Sequence, residues 1–446
     1  MEHNKYAFEI DKRQIIKNIF LAGVESVKPD NLIARSVSLD QNILRIETLK
    51  YNLSDIKNIY VVGAGKASAL MAGAVETILG SKITAGHIIT KYGHAVPLKF
   101  IGLTEAGHPV PDENGIKGTD QIISLVENAG KEDLVICLLS GGGSALLIDV
   151  PEGCTLGDLK MLTDILLKSG ATINEINCIR KHLSKVKGGL LAKTAFPSRV
   201  ITLILSDVIG DPLDVIASGP TAPDPTTFSD AIALINKYNI RNDIPVKIYE
   251  VIQEGLDKKR QETLKESDEA LLLTKNLIIG NNVLALNKAK EKAESSGYET
   301  HIITNKLAGD VSDVARYIIE TAAQNKSDNL NKSICLLFAG EPTVKITGKG
   351  LGGRNQHLAL IIARLLKEKP GITFLSGGTD GTDGPTDATG AVADFLTTEK
   401  ASGLHLDIDK FINDDDSYNF FRQVGGLIKT GPTQTNVMDL MIVLIN

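Results

Sequence analysis

Ile59-Tyr60-Val61-Val62-Gly63-Ala64-Gly65-Lys66-Ala67-Ser68 is an apolar run that breaks into glycines and then enters an Ala/Met/Leu-rich segment reaching Leu79. A short Val/Ile/Leu run bounded by glycine is the pattern of a strand buried on both faces. The same succession recurs along the chain. Residues 134–139 lead into Ser140-Gly141-Gly142-Gly143-Ser144, 200–205 into Ser206-Asp207, and 277–279 into Gly280-Asn281-Asn282. Residues 334–338 lead into Ala339-Gly340-Glu341, and 372–375 into Ser376-Gly377-Gly378-Thr379-Asp380. Helical patterns lie between them, over residues 15–24 (with Asp11 as the expected cap), 122–126, 283–293, 311–323 and 357–366. Strand, glycine turn and helix in repetition predict an α/β protein with mainly parallel sheets. Ligands in such sheets sit at the carboxyl ends of the strands, where these glycine loops fall.

The chain has 446 residues, enough for two or three domains with a substantial core. Its most polar interior stretch, GLDKKRQETLKESDEA at 255–270, is the expected boundary, dividing the chain into domains 1–260 and 261–446. Hydrophobic residues at 43% and charged residues at 23% exclude a disordered chain. Lys and Arg total 48 against 54 acidic residues, a net charge of −6, so the broad basic footprint of a nucleic-acid binder is missing. An anionic ligand must then be held by a local site. Cys137, Cys154, Cys178 and Cys335 lack metal-ligand spacing and read as free thiols. No apolar stretch approaches the roughly 18 residues of a membrane span, and residues 1–9 carry no apolar signal core. The expectation is a cytoplasmic protein with no membrane partner.

Five loops hold residues with chemistry. In GAGKAS, a Walker A loop would need glycine where Tyr60 stands and Ser or Thr at Ala67, and a dinucleotide loop would need glycine at Ser68. What remains is Lys66, a cation at a helix start. The dipole there makes it uncomfortable by roughly 0.3–1 kcal/mol unless an anion shares the site. A lysine that points to solvent is the alternative. Ser140 to Ser144 can present consecutive amides to a phosphate, or its glycines can serve close packing. G-x-S-x-G is not matched, because Leu146 stands at its last glycine, so Ser144 is no nucleophile elbow. Asp207 directly follows a buried strand, where α/β enzymes place bases and metal ligands. Arg354, after Gly352-Gly353 and before Asn355, repeats the situation of Lys66 with a fork suited to carboxylate or phosphate. The Gly377–Asp387 loop, GGTDGTDGPTD, offers carboxylates among hydroxyls, suited to a hard cation or to Asx-turns. Among the histidines, His108 in GHPVP is a candidate substrate contact, whereas His182 and His357 read as structural.

Taken together, the blocks VVGAGKAS, GHPVPDENG, LLSGGGSALL, NCIRKHLSKVKGG, LSDVIGDPLDVIASGPTAPDPTTF, GEPTVKITGKGLGGRNQ, SGGTDGTDGPTDATGA and TGPTQTNVMDL resemble the glycerate 2-kinase family with a C-terminal MOFRL domain. They run in the family's order from residue 59 to 440. The resemblance implies two three-layer α/β/α domains, Rossmann-like at the N-terminus and smaller and MOFRL-type at the C-terminus, with an interdomain cleft. It also implies Mg²⁺-dependent transfer of phosphate from ATP to the 2-hydroxyl of D-glycerate, giving 2-phosphoglycerate and ADP. Hydroxypyruvate reductase, a label also given to members, and a non-catalytic phosphometabolite-binding protein are the alternatives. On the family motif the catalytic residues are Lys66, Arg354 and Asp207. ATP, phosphate or substrate would be bound by Gly63, Gly65, Ser140, Gly141, Gly142, Gly143, Ser144, Gly352, Gly353 and Asn355, and Mg²⁺ by Asp380 and Asp383. The nucleotide preference, the domain that holds ATP and homo-oligomerisation are left open.

Overall fold

Three short strands, β1 (Val37–Asp40), β2 (Ile43–Ile46) and β3 (Leu49–Asn52), form a small antiparallel sheet ahead of the first glycine loop. They belong to a computed structural model that describes residues 2–328, 332–367 and 369–446. The next strands are β4 (Ile59–Ala64), β5 (Ala85–Lys91), β6 (Gly102–Ala106), β7 (Leu134–Leu139), β8 (Arg199–Leu205) and β9 (Thr274–Gly280). They build a six-stranded sheet in the order β6-β5-β4-β7-β8-β9, and the pairs from β6 through β8 are all parallel. The chain grows from β4 toward β6, then returns to the other side of β4 to place β7. That reversal is a topological switch point, which opens a crevice at the carboxyl ends of β4 and β7. Every residue of β7 is buried, as its unbroken LVICLL run requires.

The remaining strands are β10 (Glu299–Asp310), β11 (Ile334–Thr343), β12 (Ile372–Gly378), β13 (Gly390–Asp394), β14 (Leu427–Ile428) and β15 (Asp439–Ile445). Their sheet has the order β10-β11-β15-β12-β13-β14, and only the β10–β11 pair is parallel. The expected parallel pairing therefore holds in the first sheet and not in the second. The last strand inserts between β11 and β12 and runs against both. A loop without a crossover helix joins β12 to β13, which antiparallel neighbours allow. An apolar run shows that a strand is buried but carries no sign of its direction.

Two compact units result, Pro29–Ile279 and a discontinuous one that joins the N-terminal helix to Gly280–Asn446. That helix, Glu2–Ser26, starts well before Asp11, which is therefore interior rather than a cap. Arg13 fixes it to the second sheet: Nε and Nη2 each donate to an Asp394 carboxylate oxygen at 2.6 Å. The polar stretch 255–270 is not a linker. Its Leu264 is fully buried, Glu262 accepts from the Phe228 amide at 2.9 Å, and Lys265 Nζ donates to the Asp224 carbonyl at 3.1 Å. Its polarity serves hydrogen bonds within the first unit, so the units part at residue 280 rather than at 260.

Helices Leu156–Lys168, Ile173–Lys181, Phe228–Lys237 and Val246–Leu256 share a separate core around Leu162, Ile179, Phe228 and Ile252. Three of them begin with capping boxes, Thr155/Asp158, Thr172/Glu175 and Thr227/Asp230. Cys137, Cys178 and Cys335 are buried, and all four cysteines are free. No helix among the described residues is long and apolar enough to cross a membrane.

Candidate active site

At the switch point the β4 and β7 loops lock together. Lys66 N–H donates to the Gly141 carbonyl at 2.9 Å, and Ala67 N–H to Ser140 Oγ at 3.0 Å. Ala67 precedes helix Ser68–Leu79 and supplies no side-chain cap, so Ser140 does that work from the neighbouring strand. Ser68 Oγ donates to the Leu138 carbonyl at 3.1 Å. The position where a dinucleotide loop has its third glycine is thus filled by a buried side chain bonded to β7. Gly63 and Gly65 are needed for this approach: a Cβ on Gly65 would lie 2.1 Å from Ser140 Oγ, and one on Gly63 2.1 Å from the Leu138 carbonyl oxygen.

Gly142 takes a left-handed φ of +84°, which turns successive N–H groups to one side as an anion-binding nest. Among the described residues the N–H groups of Gly141, Gly142 and Ser144 have no backbone acceptor. Three further groups converge on this nest. A Cβ on Gly141 would lie 2.0 Å from Asp207 Oδ2, and one on Gly142 2.9 Å from His108 Nε2 and 3.3 Å from Lys66 Cγ. Gly143 packs on Ala217. Burial, reinforced by the charges of Lys66 and Lys91, pushes the His108 imidazole down to about 4, so it is neutral at physiological pH. The fold therefore gathers Lys66, Ser140 to Ser144, Asp207 and His108 around one glycine loop.

Two cations that the motif reading did not assign support this loop from beneath. Arg180 Nη2 and Lys187 Nζ both donate to the Ser144 carbonyl at 3.0 Å, and Lys187 also reaches the Leu147 carbonyl at 2.5 Å. They stand in NCIRKHLSKVKGG, and their density of basic residues beside glycines was the available signal. Burial, together with Arg180, pushes the Lys187 amine down to about 7 against the opposing pull of Asp149. In the unfolded chain the amine stays charged to about pH 10. Between pH 7 and 10 the unfolded state thus holds a proton that the folded state has released, and stability rises with pH across that window. Lys187→Met should flatten this rise by up to one proton per molecule, read from denaturation midpoints at several pH values. An identical slope in both chains would assign the rise elsewhere.

In the second unit, side-chain carboxylates take many of the loop amides. Asp383 caps helix Arg354–Leu365: Oδ1 accepts from Asn355 N at 3.0 Å and Nδ2 at 3.3 Å, and Oδ2 from Gln356 N at 2.8 Å and Nε2 at 3.0 Å. A Cβ on Gly353 would lie 2.3 Å from Asp383 Oδ1. The glycine loop before the helix gives its amides to Asp414, Asp415 and Asp416, and Gly352 backs against Ser417 Oγ. Asn355 accordingly takes part in capping, while Gly352 and Gly353 pack closely on Ser417 and Asp383 and also line the cavity ahead of the helix. Arg354 forks onto Asp439 through Nε at 2.6 Å and Nη2 at 3.1 Å, and Nη1 meets Glu341 at 2.8 Å. Three of its five N–H groups are engaged, leaving two. Burial opposes its charge, and the Asp439 carboxylate more than restores it.

The expected Mg²⁺ pair separates on this geometry. All four lone-pair sites of Asp383 accept N–H bonds, and burial raises its carboxyl to about 6, so it does not fit as a ligand. Asp380 fits. It is half-buried, accepts from Thr382 N through Oδ1, and lines a cavity of about 330 Å³ with Arg354 and His357. Two buried atoms in that cavity wall, Ser417 Oγ and His357 Nδ1, lack hydrogen-bond partners. Among the described residues no group of three or more His, Cys, Asp or Glu side chains forms a ready metal cage. Mg²⁺ characteristically takes one or two carboxylates and completes its shell with phosphate oxygens and water.

Fold and site together define an α/β protein with a glycine-rich nest of backbone amides at the switch point of a parallel sheet. Residues 15–253 match the family described as a domain of unknown function, DUF4147, and residues 334–439 match the MOFRL family. The D-glycerate 2-kinase of Thermotoga maritima is 41% identical, over 99% of this chain and 98% of that one. The glycerate 2-kinase of Pyrococcus horikoshii is 38% identical over 98% of each. A relative in Agrobacterium vitis, 38% identical over 98% of this chain and 95% of its own, carries the name hydroxypyruvate reductase. The crystal structure of glycerate kinase from Thermotoga maritima superposes with a TM-score of 0.87 at 40% identity, over 98% of this chain and all of that one. The chain belongs to the glycerate 2-kinase family.

Proposed function

We propose that the chain transfers the γ-phosphoryl group of ATP to the 2-hydroxyl of D-glycerate, giving 2-phosphoglycerate and ADP, with Mg²⁺ and in the cytoplasm. The observation that carries this reading is the nest at Gly141, Gly142 and Ser144, whose N–H groups lack backbone acceptors, with Lys66 beside it. Phosphoryl transfer asks a protein mainly for positioning and charge neutralisation, because the transition state spreads charge over the phosphoryl oxygens. The amides of the nest and the Lys66 ammonium would hold those oxygens. Asp207 would accept the proton of the 2-hydroxyl as its oxygen bonds to phosphorus, while the bond to ADP breaks and ADP leaves with the electron pair. Neutral His108 can donate or accept one hydrogen bond to a substrate oxygen without adding charge. Asp380 of the second unit would hold Mg²⁺, which would supply Lewis-acid neutralisation of phosphate oxygens. Within the second unit, Arg354 would offer its two remaining N–H groups to an anionic oxygen.

Ser68 weighs against a reductase, since it stands where a dinucleotide loop has the glycine that allows close helix–strand packing. The test is an assay with ATP, Mg²⁺ and D-glycerate coupled to enolase alone. Prompt phosphoenolpyruvate is expected. A product accepted only after a mutase is added would be 3-phosphoglycerate and would refute the regiochemistry. NADH oxidation by hydroxypyruvate without ATP would favour the reductase, and ligand binding without ATP consumption a non-catalytic binder. Asp380→Asn should raise the Mg²⁺ concentration for half-maximal rate, because an amide oxygen binds a hard cation more weakly. Asp383→Asn should act through helix stability instead. An unaltered Mg²⁺ titration in Asp380→Asn would remove that residue from the metal site.

A further inference from the structure

A cavity of about 500 Å³ in the first unit opens beside the glycine nest, and Gly142 and Ser144 form part of its wall. Its remaining walls combine apolar side chains, among them Val110, Ile148, Leu159, Leu162 and Leu167, with polar and charged ones that include His108, Arg180 and Lys187. Val110 and Leu167 stay 62% and 60% exposed, large apolar surfaces left in water beside a cavity. Such surface commonly marks the place of an apolar ligand. Glycerate is too small to fill this cavity or to cover its apolar side. It has seven non-hydrogen atoms, every carbon bears oxygen, and it offers neither the volume nor the apolar faces that these walls match. A nucleotide offers both, because its purine is flat and apolar on two faces and its phosphates begin a short distance away.

We infer that this cavity is the purine subsite of the nucleotide, with the base between Val110 and Leu167 and the phosphates running onto the Gly141–Ser144 nest. The inference rests on the kinase reading and adds which unit holds ATP.

The chain contains no tryptophan, so a single one introduced at the cavity is a unique reporter. In Leu167→Trp, emission should fall saturably with ADP and with AMP, as a purine stacks on the indole. Glycerate, phosphate and pyrophosphate should leave it unchanged. Val110→Trp, on another exposed wall position, repeats the test should the first variant misfold. ADP binding by calorimetry with unchanged emission in both variants would place the base elsewhere and overturn this inference alone. Loss of emission with glycerate by itself would make the cavity the acid's site and overturn it as well. If ADP fails to bind the parent chain in calorimetry, the kinase reading falls and the inference falls with it.

Discussion

Turnover should drop at least about a hundredfold when Lys66 is replaced by alanine, a loss of about 2.7 kcal/mol or more in transition-state stabilisation. The expectation rests on geometry. The backbone of Lys66 is fixed by its bond to Gly141, and its side chain passes the face of the nest at Gly142. The helix behind it is already positive at this end, so an ammonium here gains most when a phosphoryl group carries extra charge. Backbone anchoring does not depend on the side chain, and the variant should fold. His108 provides an internal check. Lys66 is one of the charges that hold its imidazole near 4, and removing that charge should move the imidazole upward, visible by NMR titration. A variant that keeps half the parent activity while showing this His108 shift would take Lys66 out of the reaction.

The second large effect concerns stability. Asp394 is fully buried and accepts two hydrogen bonds from the Arg13 guanidinium, which also reaches Thr397 Oγ1 at 3.0 Å. The same carboxylate caps helix Phe395–Gly403 in a capping box with Thr397. Arg13→Ala leaves this charge buried with its strongest partner gone, which costs about 3–5 kcal/mol in comparable pairs. The unit built from the N-terminal helix and β10 to β15 should lose that much in urea denaturation, followed by hydrogen exchange in β12 and β13. Replacing both partners, Arg13→Met with Asp394→Asn, should recover part of the loss, because no unpaired charge remains. A loss below about 1 kcal/mol for Arg13→Ala would show that the helix is held by apolar packing alone.

Much of the first unit was legible because its signals are local. A buried strand must be a continuous apolar run, and a backbone that must approach a neighbour closely must be glycine. IYVVGAGK and LVICLLSGGGS satisfy both conditions, and their loops meet where those rules place a ligand. Chemistry carried by a side chain from a distant segment was not legible in the same way. Arg180 and Lys187 act on the Ser144 carbonyl across more than thirty positions, and no spacing rule links them. The capping boxes at Thr155, Thr172 and Thr227 were written in the sequence as short-range patterns and went unread.

By itself, then, the sequence determined strand burial, glycine placement, the absence of a broad basic surface and membership of the phosphoryl-transfer family, each a property of residues near one another or of composition. Tertiary structure decided what the polar groups do. The carboxylates of GGTDGTDGPTD look alike in the chain, yet Asp383 spends four lone pairs on a helix end while Asp380 faces a cavity. Arg354 looks like Lys66, yet it is engaged by Asp439 and Glu341. Strand direction in the second sheet and the docking of the N-terminal helix by Arg13 were decided there too. The reason is physical: apolar burial depends on a residue's own character, whereas the role of a charge depends on which partner the fold brings within about 3 Å of it.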